Sequence, residues 1–154
     1  MGEQGEGFAS VIKAVCEDPK LRSAYVNWLK EMRPAEVDDV DTKAGAEGEP
    51  MFLVKENGQE YHAPVLSDGT LRFAAISAAF FQPTLPSLLA FEEVDNGIHP
   101  SRLRLLVELF RSQAERGQVQ VTATTHSPLV LAWLKPEEYP PRSSAKGTSK
   151  RDCL

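Results

Sequence analysis

Leu88-Leu89-Ala90-Phe91-Glu92-Glu93-Val94-Asp95-Asn96-Gly97-Ile98-His99-Pro100 joins a fully apolar run to two adjacent carboxylates and a tight turn. Ser87 to Phe91 shows no polar alternation, the pattern of a strand covered on both faces, as in parallel sheets packed between helices. Ligands of such sheets sit just past the carboxyl ends of the strands. Glu92 and Glu93 therefore stand where a metal ion, a phosphate or an activated water is expected; solvation of a strand end is the plainer alternative. Asn96-Gly97 supplies the turn, and Pro100 occupies the first position of a helix.

Downstream, the helix predicted from Pro100 to about Arg116 turns Leu103, Leu106, Val107, Leu109 and Phe110 inward, and Arg102, Arg104, Glu108, Arg111 and Glu115 outward. Gly117 closes it. Gln118 to Ala123 alternates as a strand and ends in Thr124-Thr125-His126-Ser127-Pro128, from which a last helix runs through Val130, Leu131 and Trp133. Strands and helices thus alternate as in a parallel α/β sheet. If the two strands are neighbours, Glu92, Glu93 and His126 meet at one sheet edge. Alone, His126 reads as an ordinary structural histidine.

Upstream, Leu66-Ser67-Asp68-Gly69-Thr70 precedes a helix predicted from Leu71 to about Phe81, apolar on most sides and hence buried. Ser67 or Asp68 can cap it, and Gly69 allows a backbone or a ligand to approach closely. A helix start of this kind suits a phosphate, although an ordinary cap needs the same residue types. Earlier still, Gly7 to about Met32 reads as two short helices broken at Asp18-Pro19, with Pro34 ending the second and Tyr25 and Trp28 as packing residues. Ala35 to Pro50 is acidic, a weak strand and then a solvated loop, without the spacing of a calcium loop. Met51 to Lys55 and Gln59 to Ala63 form a predicted hairpin around Asn57-Gly58. Beyond Lys135, prolines and a Ser/Gly/Lys/Arg-rich composition read as a disordered tail. Its basic residues Arg142, Lys146, Lys150 and Arg151 leave nucleic-acid contact open, with a solubilising role the plainer reading.

The 154 residues suffice for one core, and the net charge of -5 argues against a surface wholly given to nucleic acid. Cys16 and Cys153 lie at opposite ends in no metal-ligand spacing, so a reducing compartment is expected. The acidic start is unlike a signal peptide, and no apolar run approaches a membrane span; the expected location is cytoplasmic, with no membrane partner.

The ordered motifs carry a resemblance. Leu66 to Thr70 resembles the signature loop of ABC-type ATPases, Leu88 to Glu93 their Walker B strand, Asn96 to Pro100 the D-loop, and Thr124 to Pro128 the switch-histidine loop. The wording is similar to the ABC-type AAA ATPase cores grouped with RecF, the OLD proteins and the chromosome-maintenance ATPases. The resemblance implies the C-terminal lobe of a P-loop NTPase: an α/β parallel sheet with an N-terminal helical pair and a β-hairpin. A partial ATPase domain would span 1–134, with the helical pair at 1–34, the weak strand and hairpin at 35–65, the motif core at 66–134 and the tail at 135–154.

It implies ATP and Mg2+ as ligands. Glu92 would hold magnesium, Glu93 would polarise the attacking water, and His126 would contact the γ-phosphate. Ser67 and the backbone of Gly69, within the loop that includes Asp68 and Thr70, would bind a nucleotide held on an opposing subunit, and His99 belongs to the nucleotide-facing D-loop. Val94 and Asp95 replace the usual Pro and Glu. No Gly-x-x-x-x-Gly-Lys-[Ser/Thr] occurs in the sequence. The implied partner is therefore a lobe or subunit carrying the Walker A loop, or a homo- or hetero-dimer partner meeting the signature face. Two other readings stand beside ATP hydrolysis: a non-catalytic protein docking on an intact ATPase, and a metal-dependent phosphohydrolase built on Glu92, Glu93, Asp95, His99 and His126.

Overall fold

The computed structural model describes residues 7–33, 37–45 and 48–139. Two helices come first, α1 (Phe8–Glu17) and α2 (Pro19–Met32), separated as the Asp18-Pro19 break predicts. Asp18 caps α2 by accepting from the backbone N–H groups of Lys20 and Leu21, and Pro19 fills the position that has no need of a donor. Pro34 lies outside the described residues.

The acidic segment forms a longer strand than expected, β1 (Val37–Ala44), paired antiparallel with β2 (Pro50–Glu56), which pairs antiparallel with β3 (Gln59–His62). The carboxylates are spent within the fold. Asp39 takes a two-pronged bond from Arg22 of α2, Asp41 faces Lys55, and Asp38 accepts from the Gly58 amide. Asn57 and Gly58 both adopt positive φ, 50° and 74°, the geometry of the tight hairpin turn predicted there.

After one 3-10 turn comes α3 (Asp68–Ala78). It begins three residues before the predicted start because Ser67, as the cap, brings Asp68-Gly69-Thr70 into its first turn. Its expected burial is observed: Phe73, Ala74, Ile76, Ser77 and Ala78 are all buried. Strand β4 (Leu88–Phe91) leads through the carboxylate turn into α4 (Pro100–Glu115), then β5 (Gln120–Ala123) and α5 (Pro128–Trp133). Strands β4 and β5 pair in parallel, Leu88 opposite Gln120 and Phe91 opposite Ala123.

Coverage of β4 on both faces is not observed. Leu89 and Phe91 are half-buried, but Leu88 is 52% exposed and Ala90 is exposed, because Phe80, just past α3, and Phe110 of α4 cover one face and no described element covers the other. The buried face is locked by rings: Phe91 stacks on Phe110 with centroids 5.2 Å apart, and Phe80 leans on both. One cluster runs from Ile12 and Val15 through Tyr25, Phe52 and Phe73 to Leu106 and Leu109.

Two outward assignments on α4 are corrected. Arg102 and Arg111 are half-buried. Arg111 donates from Nε and Nη2 to the two carboxylate oxygens of Glu138, at 2.7 and 3.0 Å, and from Nη2 to the Trp133 carbonyl. Glu138 lies in a 3-10 turn, Pro136–Glu138, so the start of the predicted disordered tail is folded back onto α4. The rest of that tail, 140–154, with its four basic residues, lies outside the described residues.

Candidate functional site

The parallel register puts the carboxyl ends of β4 and β5 side by side, and each chain then enters a polar turn. Phe91 accepts from the Thr124 amide, and Thr124 accepts from the Val94 amide, so the pairing continues one step past both strands. The Thr124 hydroxyl takes the amide of Glu93 at 3.0 Å. Glu93 itself has φ of 48°, a left-handed conformation that a side chain with a Cβ rarely adopts. Such backbone persists where surrounding bonds over-determine it.

The result brings Glu93 and His126 together, with Oε1 to Nε2 at 3.8 Å. That is beyond hydrogen-bond length, so each group keeps capacity for a third. Both stand open to solvent, the Glu93 side chain 56% and the His126 side chain 84% exposed. Glu92, also exposed, sits at the same strand end.

Asp95 is the residue whose importance the sequence understated. Its Oδ1 accepts from the Thr125 hydroxyl at 2.5 Å and from the His126 amide at 3.2 Å, tying the two turns together. The Thr125 hydroxyl, followed by the backbone amides of Asp95 itself and of His126, holds the Asp95 carboxyl below the usual carboxylate range. Two threonines directly before the histidine were the available signal. Arg72 was missed altogether. It is the one charged side chain between Leu71 and Phe81 of an apolar segment, and its Nη2 reaches the carbonyls of Glu92 and Glu93 at 3.2 and 2.8 Å.

The residues expected to form a signature loop make a second group. Ser67 Oγ lies 2.8 Å from Thr70 Oγ1 and accepts from the Thr70 amide, an N-cap. Asp68 is exposed in the first turn, where a negative charge suits the helix dipole. Gly69 packs so tightly on the next segment that a Cβ there would stand 2.6 Å from the Gly97 carbonyl oxygen. The close approach permitted by Gly69 is thus taken up by backbone. His99 caps α4, its Nδ1 accepting from the Ser101 amide.

Ser67, Gly69, Thr70, Gly97, His99 and Arg102 line one groove of about 700 Å³, whose other side is Arg33 at the end of α2 with Glu56 and Tyr61 of the hairpin. Glu92, Glu93 and His126 do not line it. The expected site residues therefore fall into two groups, joined through the turn from Glu92 to Ile98. Among the described residues no group of three His, Cys, Asp or Glu side chains could hold a metal ion. Glu92, Glu93, Asp95, His99 and His126, the side chains of the phosphohydrolase reading, are thus not gathered into such a group. Nor is any helix among the described residues long and apolar enough to cross a membrane.

Residues 23–132 match the family described as "AAA domain, putative AbiEii toxin, Type IV TA system". No curated protein matches the chain. Among solved structures it is similar to an Smc head bound to the C-winged helix domain of ScpA, with TM-score 0.58 and 12% identity over 73% of this chain and 36% of that one. A structure from work on ATP-driven dimerization and DNA-stimulated activation of SMC ATPases gives TM-score 0.55 and 13% identity, over 73% of this chain and 70% of that one. The Smc head with an extended coiled coil from Pyrococcus furiosus gives 0.57 and 12%, over 73% and 29%. At these identities the likeness is one of fold, and the chain spans well under half of the first and third of these structures.

Proposed function

The chain belongs to this AAA-domain family and has the α/β fold of SMC ATPase heads, and from that premise we propose that it supplies the hydrolytic and signature surfaces of an ATPase completed by a lobe carrying a phosphate loop. The observation that carries the proposal is the Glu93–His126 pair. Two side chains capable of handling a proton and a phosphate oxygen are held 3.8 Å apart at the mouth of a parallel strand pair, by backbone and threonine contacts rather than by each other.

Phosphoryl transfer asks for positioning and charge stabilisation more than covalent chemistry. Glu93 orients the attacking water and accepts its proton. His126 donates to the γ-phosphate oxygen. Asp95 fixes the His126 backbone, and Thr124 fixes that of Glu93. The donor set fits magnesium, which keeps several waters and takes one or two carboxylates along with phosphate oxygens; Glu92 would hold it, and the ion would neutralise charge on the phosphates. Ser67 and the Gly69 amide, at the start of α3, would meet the γ-phosphate of a nucleotide on an opposing subunit.

High exposure of Glu93 and His126 supports a site closed by a partner. The phosphate loop, absent from the 154 residues, must come from elsewhere, on a partner chain or a further lobe. The test is reconstitution: ATP turnover by the chain alone, and after mixing with a candidate partner protein that carries a phosphate loop. The proposal expects turnover only in the mixture. Hydrolysis at an ordinary enzyme rate by the chain alone refutes the shared site. A complex that forms without turnover selects the non-catalytic docking role instead.

A further inference from the structure

We infer that Arg72 is a positioning residue that makes the Glu92–Glu93 turn move with helix α3. The inference rests on the hydrolytic role proposed for Glu93. Three observations converge on it. First, one guanidinium nitrogen, Nη2, donates to two successive carbonyls, those of Glu92 and Glu93. Those carbonyls belong to the two peptide units on either side of the Glu93 Cα, whose orientation sets the left-handed backbone of Glu93. Second, the other end of the same turn is pressed onto the same helix: the Gly97 carbonyl sits against Gly69, and Arg72 Cδ lies 3.9 Å from where a Gly97 Cβ would be. Third, Arg72 Nε is buried and meets no acceptor among the described residues.

The helix start carries the groove containing Ser67, Gly69, Thr70 and His99. Arg72 lies five residues beyond Ser67 on the same helix, and a helix this short moves as a body. A ligand that shifts the first turn of α3 therefore displaces the Glu92 and Glu93 carbonyls through Arg72 and the Gly97 carbonyl through Gly69. From the opposite side, Asp95 and Thr124 tie the turn to the β5 end and His126. The turn from Glu92 to Ile98 is a junction between the groove and the reacting carboxylate, and Arg72 is its charged strut.

Two measurements test this, one independent of turnover. In the full chain, hydrogen exchange is followed at the amides of Glu93, Val94 and Asn96 for wild type, Arg72→Met and Arg72→Lys. Loss of charge-assisted bonds predicts turn amides exchanging roughly tenfold faster or more in Arg72→Met. Amides within β2 and the middle of α4 should stay unchanged, and Arg72→Lys should stay within a few-fold of wild type. Unchanged turn amides, or an equal rise at every amide, overturn the inference; Arg72→Gln serves in the same way if the methionine variant does not fold. In the reconstituted ATPase, Arg72→Met should lower kcat about tenfold with KM for ATP unchanged, and Arg72→Lys should recover part of the loss. A loosened turn with wild-type kcat also overturns it. If wild type itself shows no turnover, the proposed function fails while the exchange data still decide whether Arg72 holds the turn.

Discussion

Replacing Gly69 with alanine should destabilise the protein, against the direction that helix propensity alone dictates. Gly69 is the second residue of α3 and has no positive φ, so its backbone accepts alanine, which would ordinarily stabilise a helix by up to ~1 kcal/mol. The new methyl, however, would stand 2.6 Å from the Gly97 carbonyl oxygen, against an ordinary contact of 3.4 Å or more, so helix and turn must separate by about 0.8 Å. The turn resists. Ile98 beside it is buried at 5% exposure, Asn96 and Ile98 donate back to Glu93 and Asp95, and Arg72 clamps the first two carbonyls. Overpacking of this kind costs ~1–3 kcal/mol, so a mid-range cost less the propensity gain leaves a net loss of roughly 1 kcal/mol and a Tm lower by about 2–4 °C. Urea and thermal unfolding of Gly69→Ala against wild type measure it. A variant as stable as wild type or more so would show that the α3–turn contact is loose, and with it the junction argument would fall.

Two further predictions concern packing and pH. The Arg111 guanidinium beside Glu138 holds its carboxyl down to about 2 from the usual 4.5. Because the folded value lies below the unfolded one, the pair stabilises fully above about pH 4.5 and is lost as pH falls from there towards 2. Urea midpoints measured across that window should fall less steeply for Glu138→Gln than for wild type; parallel curves would contradict the pairing. Tyr25→Phe removes a buried hydroxyl bond to the Ala74 carbonyl at 3.0 Å, but that carbonyl keeps the Ser77 hydroxyl at 3.1 Å, so the cost should be only about 0.5–1 kcal/mol by urea unfolding. A loss several times larger would mean that the hydroxyl does more than this one bond.

What was legible in the sequence follows from how local the physics is. Asp18-Pro19, Asn57-Gly58, Ser67 and Gly117 each act on their own few residues, and the helix breaks, the hairpin and the caps lie where they predict. The parallel alternation of the second half and the meeting of Glu93 with His126 were readable because strand order is constrained once the crossover is a helix. Three things were not. An apolar run such as Leu88 to Phe91 signals tolerance of burial on both faces but does not say whether this chain provides the cover. Arg111 and Glu138 are 27 residues apart, and no spacing rule links an outward helix position to a proline-rich tail. Arg72 acts on carbonyls, which have no sequence signature, and is visible only once α3 and the β4 turn are placed.

The central claim is that Glu93 serves the chemical step of ATP hydrolysis and not nucleotide binding. It is tested most directly by measuring kcat and the ATP Kd in the same reconstituted sample of wild type and Glu93→Gln. The neutral side chain keeps its size but loses the capacity to take a proton, so kcat should fall by about 10²–10⁴-fold, while Kd stays within a few-fold of wild type. Wild-type turnover by Glu93→Gln, or a loss carried entirely in Kd, would contradict the account.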